Sequence, residues 1–120
     1  VPIWRDSLRA GVNEARAMQR MADADLIAMR SMVAGEALAA REEVNAVQTQ
    51  ARVLRSEVVP RAEAATEAAL ASYASGQGTL IAVIESARAL WAVQAEQIMV
   101  EAAVGEAWAN LDRATGSRGE

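Results

Sequence analysis

The sequence predicts an all-α protein, a long antiparallel coiled-coil helical hairpin. Three observations point there. Apolar residues make up 52% of the chain, yet Ala dominates them, Phe is absent, and the aromatics are Trp4, Trp91, Trp108 and Tyr73. Such side chains bury little area each and suit close helix–helix contact better than a thick core. The Ala, Glu, Arg and Leu bias is that of long or coiled helices. The only prolines are Pro2 and Pro60, and a Gly-containing break lies at Gly76–Gly78. These set the expected architecture: one long helix over about 5–58, packed against two end-to-end helices over about 60–75 and 79–113.

Val1-Pro2-Ile3 reads as extended, because proline disfavours helix at the residue before it. Asp6 or Ser7 is suited to cap the helix that follows. One apolar stripe then runs through Val12, Ala15, Met18, Ala22, Leu26, Met29, Val33, Ala37, Ala40, Val44, Val47, Ala51, Leu54 and Val58. Its steps of three and four average about 3.5 residues, the period of a left-handed coiled coil. A helix of that length spans roughly 75–80 Å. Pro60 removes a backbone donor and pushes Val59 away from helical geometry, so the chain is expected to reverse at Val58-Val59-Pro60. Pro60 would open the second helix, with Glu63 and Glu67 in early turns near the positive end of its dipole.

The second break is Ser75-Gly76-Gln77-Gly78-Thr79. Gly76 can take the left-handed cap and Thr79 can cap the next helix. That helix carries the stripe Leu80, Ile84, Ala87, Trp91, Ala95, Ile98, Ala102, Gly105 and Ala109. Because the first helix is as long as the other two together, this second break is expected to continue the chain in the same direction. Residues 1–114 would form one helical hairpin and 115–120 a disordered tail.

Several function classes fall away on composition. The net charge of −4 argues against nucleic acid and anionic lipid as partners. Without His or Cys there is no Ser–His or Cys–His pair, so the chain is not expected to be an enzyme. Asp23 with Asp25, and Glu42 with Glu43, face different ways on a helix and are read as solvated acids. Met18 and Met29, like Met21 and Met32, share a helix face, but about 16 Å separates each pair, too far to share a soft metal ion. They are read as packing residues; no metal or cofactor is expected. No apolar run reaches the roughly 20 residues of a membrane helix, and this stretch is expected to be soluble by itself.

The segment Tyr73-Ala74-Ser75-Gly76, then Leu80, then Val83-Ile84-Glu85-Ser86-Ala87-Arg88 resembles a signature of the TolC family of outer-membrane efflux channels. That signature runs Tyr-x-x-Gly, Leu, then a Leu-Leu-Asp-Ala-Gln-Arg-like stretch. Here Glu85 stands for the Asp, Ser86 for the Ala and Ala87 for the Gln, while Arg88 matches. The family's Leu-x-Arg-Leu-Thr-Gly ending is similar to Leu111-Asp112-Arg113-Ala114-Thr115-Gly116. Val1-Pro2-Ile3 looks like the end of the last barrel strand, and Glu14-Ala15 like a Glu-Ala early in the long helix. The tone is closest to the heavy-metal efflux branch.

The resemblance implies a homotrimer in a Gram-negative outer membrane, with a periplasmic α-barrel to which this chain gives the second helical half. It implies a passive exit duct whose tips meet a periplasmic adaptor and an inner-membrane pump. Val58-Val59-Pro60 resembles the far tip, and Arg55, Glu57, Val58, Val59, Pro60 and Arg61 are the candidate adaptor-docking residues. Trp4 and Trp108 would share the membrane end. The competing reading is a free-standing coiled-coil interaction module, adaptor or chaperone-like. In either case apolar lines such as Met21, Ala28, Met32 and Ala39 beside the main stripe lead us to expect self-association of this chain.

Overall fold

A computed structural model of the chain describes residues 3–116. The described residues are helical almost throughout, in the order α1 (Ile3–Val53), a five-residue π-helical stretch (Leu54–Val58), α2 (Val59–Ala74) and α3 (Leu80–Thr115). No strand occurs among them. The chain divides into two compact units, Val1–Leu38 and Ala39–Glu120.

The second unit is an antiparallel hairpin, but its reversal is not at Pro60. Helix runs on through that residue: Val58 (φ −75°, ψ −49°) and Val59 (φ −60°, ψ −50°) are both right-handed helical. A proline inside an α-helix loses one hydrogen bond, and its ring clashes with the carbonyl four residues back, here that of Ser56. The π-helical turn just before it relieves both problems. It widens the helix, and the Val59 N–H donates to the Leu54 carbonyl, five residues back. The break expected at Val58-Val59-Pro60 is thus a local widening of one continuous helix. The two end-to-end helices expected over 60–75 and 79–113 are instead antiparallel to each other, α2 packing along α3.

The core of this unit is thin. Its buried side chains are Ala40, Val44, Leu54, Val100 and Ala107, and among the described residues no polar side chain is buried. Half-buried residues extend the seam along the first arm through Val47, Ala51, Val58, Ala62, Thr66, Ala69 and Ser72. The C-terminal part of the expected long-helix stripe, Ala40 to Val58, is therefore the buried face. On α3 the line facing the first arm is Val83, Ser86, Leu90, Val93, Gln97, Val100, Val104, Ala107, Leu111 and Ala114. They alternate steps of three and four, a heptad seam. The stripe expected on α3 is mostly the outer face instead: Trp91 is 67% and Ile98 69% exposed, and of that stripe only Ala87, beside the seam, is half-buried. Valine and alanine let two backbones approach closely; an indole at the seam would hold them apart.

The first unit is a single stretch of α1. Helix starts at Ile3, so the extended start is corrected there, while Val1 and Pro2 lie outside the described residues. Ser7 does not cap it; its hydroxyl donates to the Trp4 carbonyl at 3.2 Å. Every residue from 4 to 36 is exposed. At the other end of the chain Thr115 is still helical, its hydroxyl bonded to the Leu111 carbonyl at 2.9 Å, and Gly116 (φ 69°) forms a left-handed cap. The expected tail is thus ordered at both residues; 117–120 lie outside the described residues.

Candidate interaction surfaces

The hairpin turn is built by residues of the Tyr73–Leu80 segment. Gly76 takes φ 75° at the end of α2, in the left-handed region where a Cβ is penalised. The amides of Gln77 and Gly78 both donate to the Ser72 carbonyl, at 3.0 and 2.9 Å, and that of Gly76 to Tyr73 at 3.0 Å. These bonds satisfy carbonyls that the helix end would leave open. Gly78 is required for a different reason. A Cβ there would stand 2.8 Å from the Ser72 hydroxyl oxygen and 3.0 Å from the Tyr73 amide nitrogen. Thr79 is extended (φ −104°, ψ 149°), and its hydroxyl accepts from the Ala82 amide at 3.2 Å, opening α3. The caps at Gly76 and Thr79 are those the sequence led us to expect.

Two contacts between the arms fix the register. Arg55 donates to the Glu101 carboxylate at 2.6 Å, and the Thr66 hydroxyl lies 3.3 Å from the Ser86 carbonyl while also bonding Ala62 at 2.9 Å. The Arg55 hydrogen bond, reinforced by one from the Gln97 amide at 3.0 Å, holds the Glu101 carboxyl below its usual value; partial desolvation opposes them. Glu57 and Arg61 pair along the helix at 3.5 Å.

The family-like residues separate into two groups. Tyr73, Gly76 and Leu80 meet at the turn, with Ile84, Glu85 and Arg88 on the first turns of α3. Leu111, Arg113 and Gly116 lie at its far end, where Arg113 donates to the Asn110 side-chain oxygen at 3.0 Å. Tyr73, Leu80 and Ile84 are exposed, Leu111 half-buried.

The expected docking set, Arg55, Glu57, Val58, Val59, Pro60 and Arg61, does not form a tip. It lies mid-arm, with Val58 and Val59 half-buried and Arg55 bound to the opposite arm. Trp108 follows Val104, which lines the same depression as Gln48 and Ala51, so it sits on the last two turns of α3. With the reversal moved to Gly76–Gly78, the geometry that placed Trp108 beside Trp4 no longer holds. Sequence reasoning missed Glu101, Gln97 and Thr66, because a partner 46 residues away, such as Glu101 for Arg55, leaves no local signal.

What remains exposed is largely apolar. On α3, Ile84, Trp91 and Ile98 follow one another at seven-residue spacing, 44–69% exposed. On α1, Trp4, Leu8, Met18, Met21, Met29 and Met32 are each more than 60% exposed. Among the described residues no group of three acidic side chains gathers as a metal site. Among the described residues no helix is long and apolar enough to cross a membrane. These surfaces can pack against other helices. No family model, curated protein or solved structure matches this chain.

Proposed function

We propose that this chain is a periplasmic helical segment of a TolC-like outer-membrane efflux channel, part of the passive exit duct of a tripartite export system. One observation carries the reading. The family-like Tyr73-x-x-Gly76 and Leu80 lie at the hairpin reversal, where Gly76 takes φ 75° at the end of α2. A duct wall built from hairpins needs a tight turn at its end, a thin Ala/Val seam within each hairpin and further apolar faces for neighbouring hairpins. The exposed Ile84–Trp91–Ile98 line on α3 suits such a neighbour. On this reading the end that meets the periplasmic adaptor is the Gly76–Thr79 turn flanked by Tyr73, in place of Arg55–Arg61. The assembly is a homotrimer, and the energy for transport comes from an inner-membrane pump.

An antibody against residues 60–95, used on fractionated cells that express the parent gene, tests this. The reading expects the antigen in the outer-membrane fraction, with the epitope digested by protease in spheroplasts and protected in intact cells. Recovery in the cytosolic fraction would overturn it and favour the free-standing interaction module.

A further inference from the structure

We propose that residues 4–33 of one copy of this chain lie antiparallel along the outer face of α3 in the next copy, Leu8 of one against Gly105 of the other. The copies thus join head to tail. The inference rests on the channel reading for its closure at three; the contact itself stands on the spacing, size and charge of two apolar lines.

α3 covers one face in its own seam, which leaves the opposite face to another molecule. That face carries Ile84, Trp91 and Ile98, and no charged residue interrupts its line from Leu80 to Ala109. On α1 the line from Trp4 to Val33 is exposed throughout. Both lines advance by the same threes and fours, so one antiparallel register matches every position. Trp4 meets Ala109, Leu8 meets Gly105 and Gly11 meets Ala102. Ala15 meets Ile98, Met18 meets Ala95, Ala22 meets Trp91 and Leu26 meets Ala87. In almost every pair the larger side chain faces a small one, the arrangement that lets helices interdigitate. Only Met29 with Ile84 and Val33 with Leu80 set two large side chains together. Gly11 and Gly105 fit the same picture. Each lies in a helix interior, which glycine weakens, yet a Cβ on either would meet nothing within 4 Å. Their own chain does not require them; a closely packed neighbour does.

Charge selects the direction. Arg5, Arg9, Arg16 and Arg20 occupy one flank of the α1 line, within about 60° of arc. Antiparallel packing sets that flank beside the one bearing Glu96 and Glu106. Glu106 then stands between Arg5 and Arg9, and Glu96 between Arg16 and Arg20, while Asp23 faces Arg88 and Arg30 faces Glu85. Arg5, Arg9, Arg16 and Arg20 against Asp6 and Glu14 leave residues 3–20 at +2; Glu96, Glu101 and Glu106 leave the opposing residues 93–110 at −3. A parallel neighbour would instead lay that acidic end on Asp23 and Asp25. One like-charge approach remains, Glu14 near Glu101, which already holds Arg55. A contact between two different surfaces repeats from copy to copy, and on the channel reading it closes as a ring of three.

Because the chain has no Cys, oxidising an equimolar mixture of Leu8→Cys and Gly105→Cys chains reads the contact directly. The mixed disulfide should form, and neither variant alone should link to itself. Sedimentation equilibrium of the full 120-residue chain should give a trimer of the 12.7 kDa protomer. Gly105→Leu, for which the hairpin has room, should weaken association about tenfold, and adding Leu8→Ala should restore it to within about threefold. Leu70→Ser, outside both lines, should change it by less than about twofold. A monomer or closed dimer, a missing mixed disulfide, a Leu8→Cys homodimer or undiminished association of Gly105→Leu would each overturn the contact. A linked trimer from a parent protein that fractionates with the cytosol would uphold the contact and sink the channel reading alone.

Discussion

Two stretches of the same helix have opposite fates. Between Ala40 and Ala51, α1 buries its apolar stripe in the hairpin seam, with Val44 only 3% exposed. Between Trp4 and Val33 it carries an equally apolar stripe that stays open, with Leu26 at 47% and Met29 at 64% exposure. Composition hardly distinguishes the two. What separates them is whether a second helix lies against the stripe, and that is set by where the chain reverses. Helix propensity holds neither stretch by itself, since most helical stability comes from packing an amphipathic face.

The comparison is most exposed to failure in paired truncations. Leu54→Ala removes a buried side chain from the seam and should cost about 2–4 kcal/mol in urea unfolding. Leu26→Ala, measured where the chain is monomeric, should stay within about 0.5 kcal/mol. Equal losses would mean that the open stretch has a partner within its own chain.

The turn comes next. Gly78→Ala drives a Cβ into the Ser72–Tyr73 backbone and should cost about 1–3 kcal/mol by thermal unfolding. Gly76→Ala places an L side chain at φ 75° and should cost about 1–2 kcal/mol. Pro60→Ala, by contrast, removes the reason for the π-turn while keeping both arms. Circular dichroism should show helicity held or slightly raised, and a collapse of the hairpin would return the reversal to Pro60.

The smallest effect is electrostatic. The Glu101 carboxyl is held down in the folded state, so its link to Arg55 stabilises fully above the ordinary glutamate value. The gain is lost as pH falls through the lowered folded value. Denaturant midpoints between pH 7 and pH 3 should fall more in the wild type than in Glu101→Gln. Because the pair is on the surface, added salt should shrink the difference.

The sequence disclosed much of this, unevenly. The 3.5-residue stripe from Ala40 to Val58 and the caps at Gly76 and Thr79 are local signals, and each has its expected role. Pro60 misleads because proline announces a broken hydrogen bond without saying how the break is absorbed; a widened turn serves as well as a reversal. The α3 seam was hidden for another reason. Apolar residues surround that helix, and the bulkiest of them, Trp91 and Ile98, drew the stripe to the outer face, while close approach selects Val93, Val100 and Ala107. Of the candidate surface, the turn residues were legible; the Arg55–Glu101 link needed the register of the two arms.

Hydrogen exchange followed by mass spectrometry over a range of protein concentrations tests the central contrast most directly. The account predicts slow amides over 40–72 and 83–114 at every concentration, with no fast gap at Val59–Arg61, while protection of residues 4–36 appears only as concentration rises. Concentration-independent protection of 4–36, or fast exchange that splits the long helix at Pro60, would contradict it.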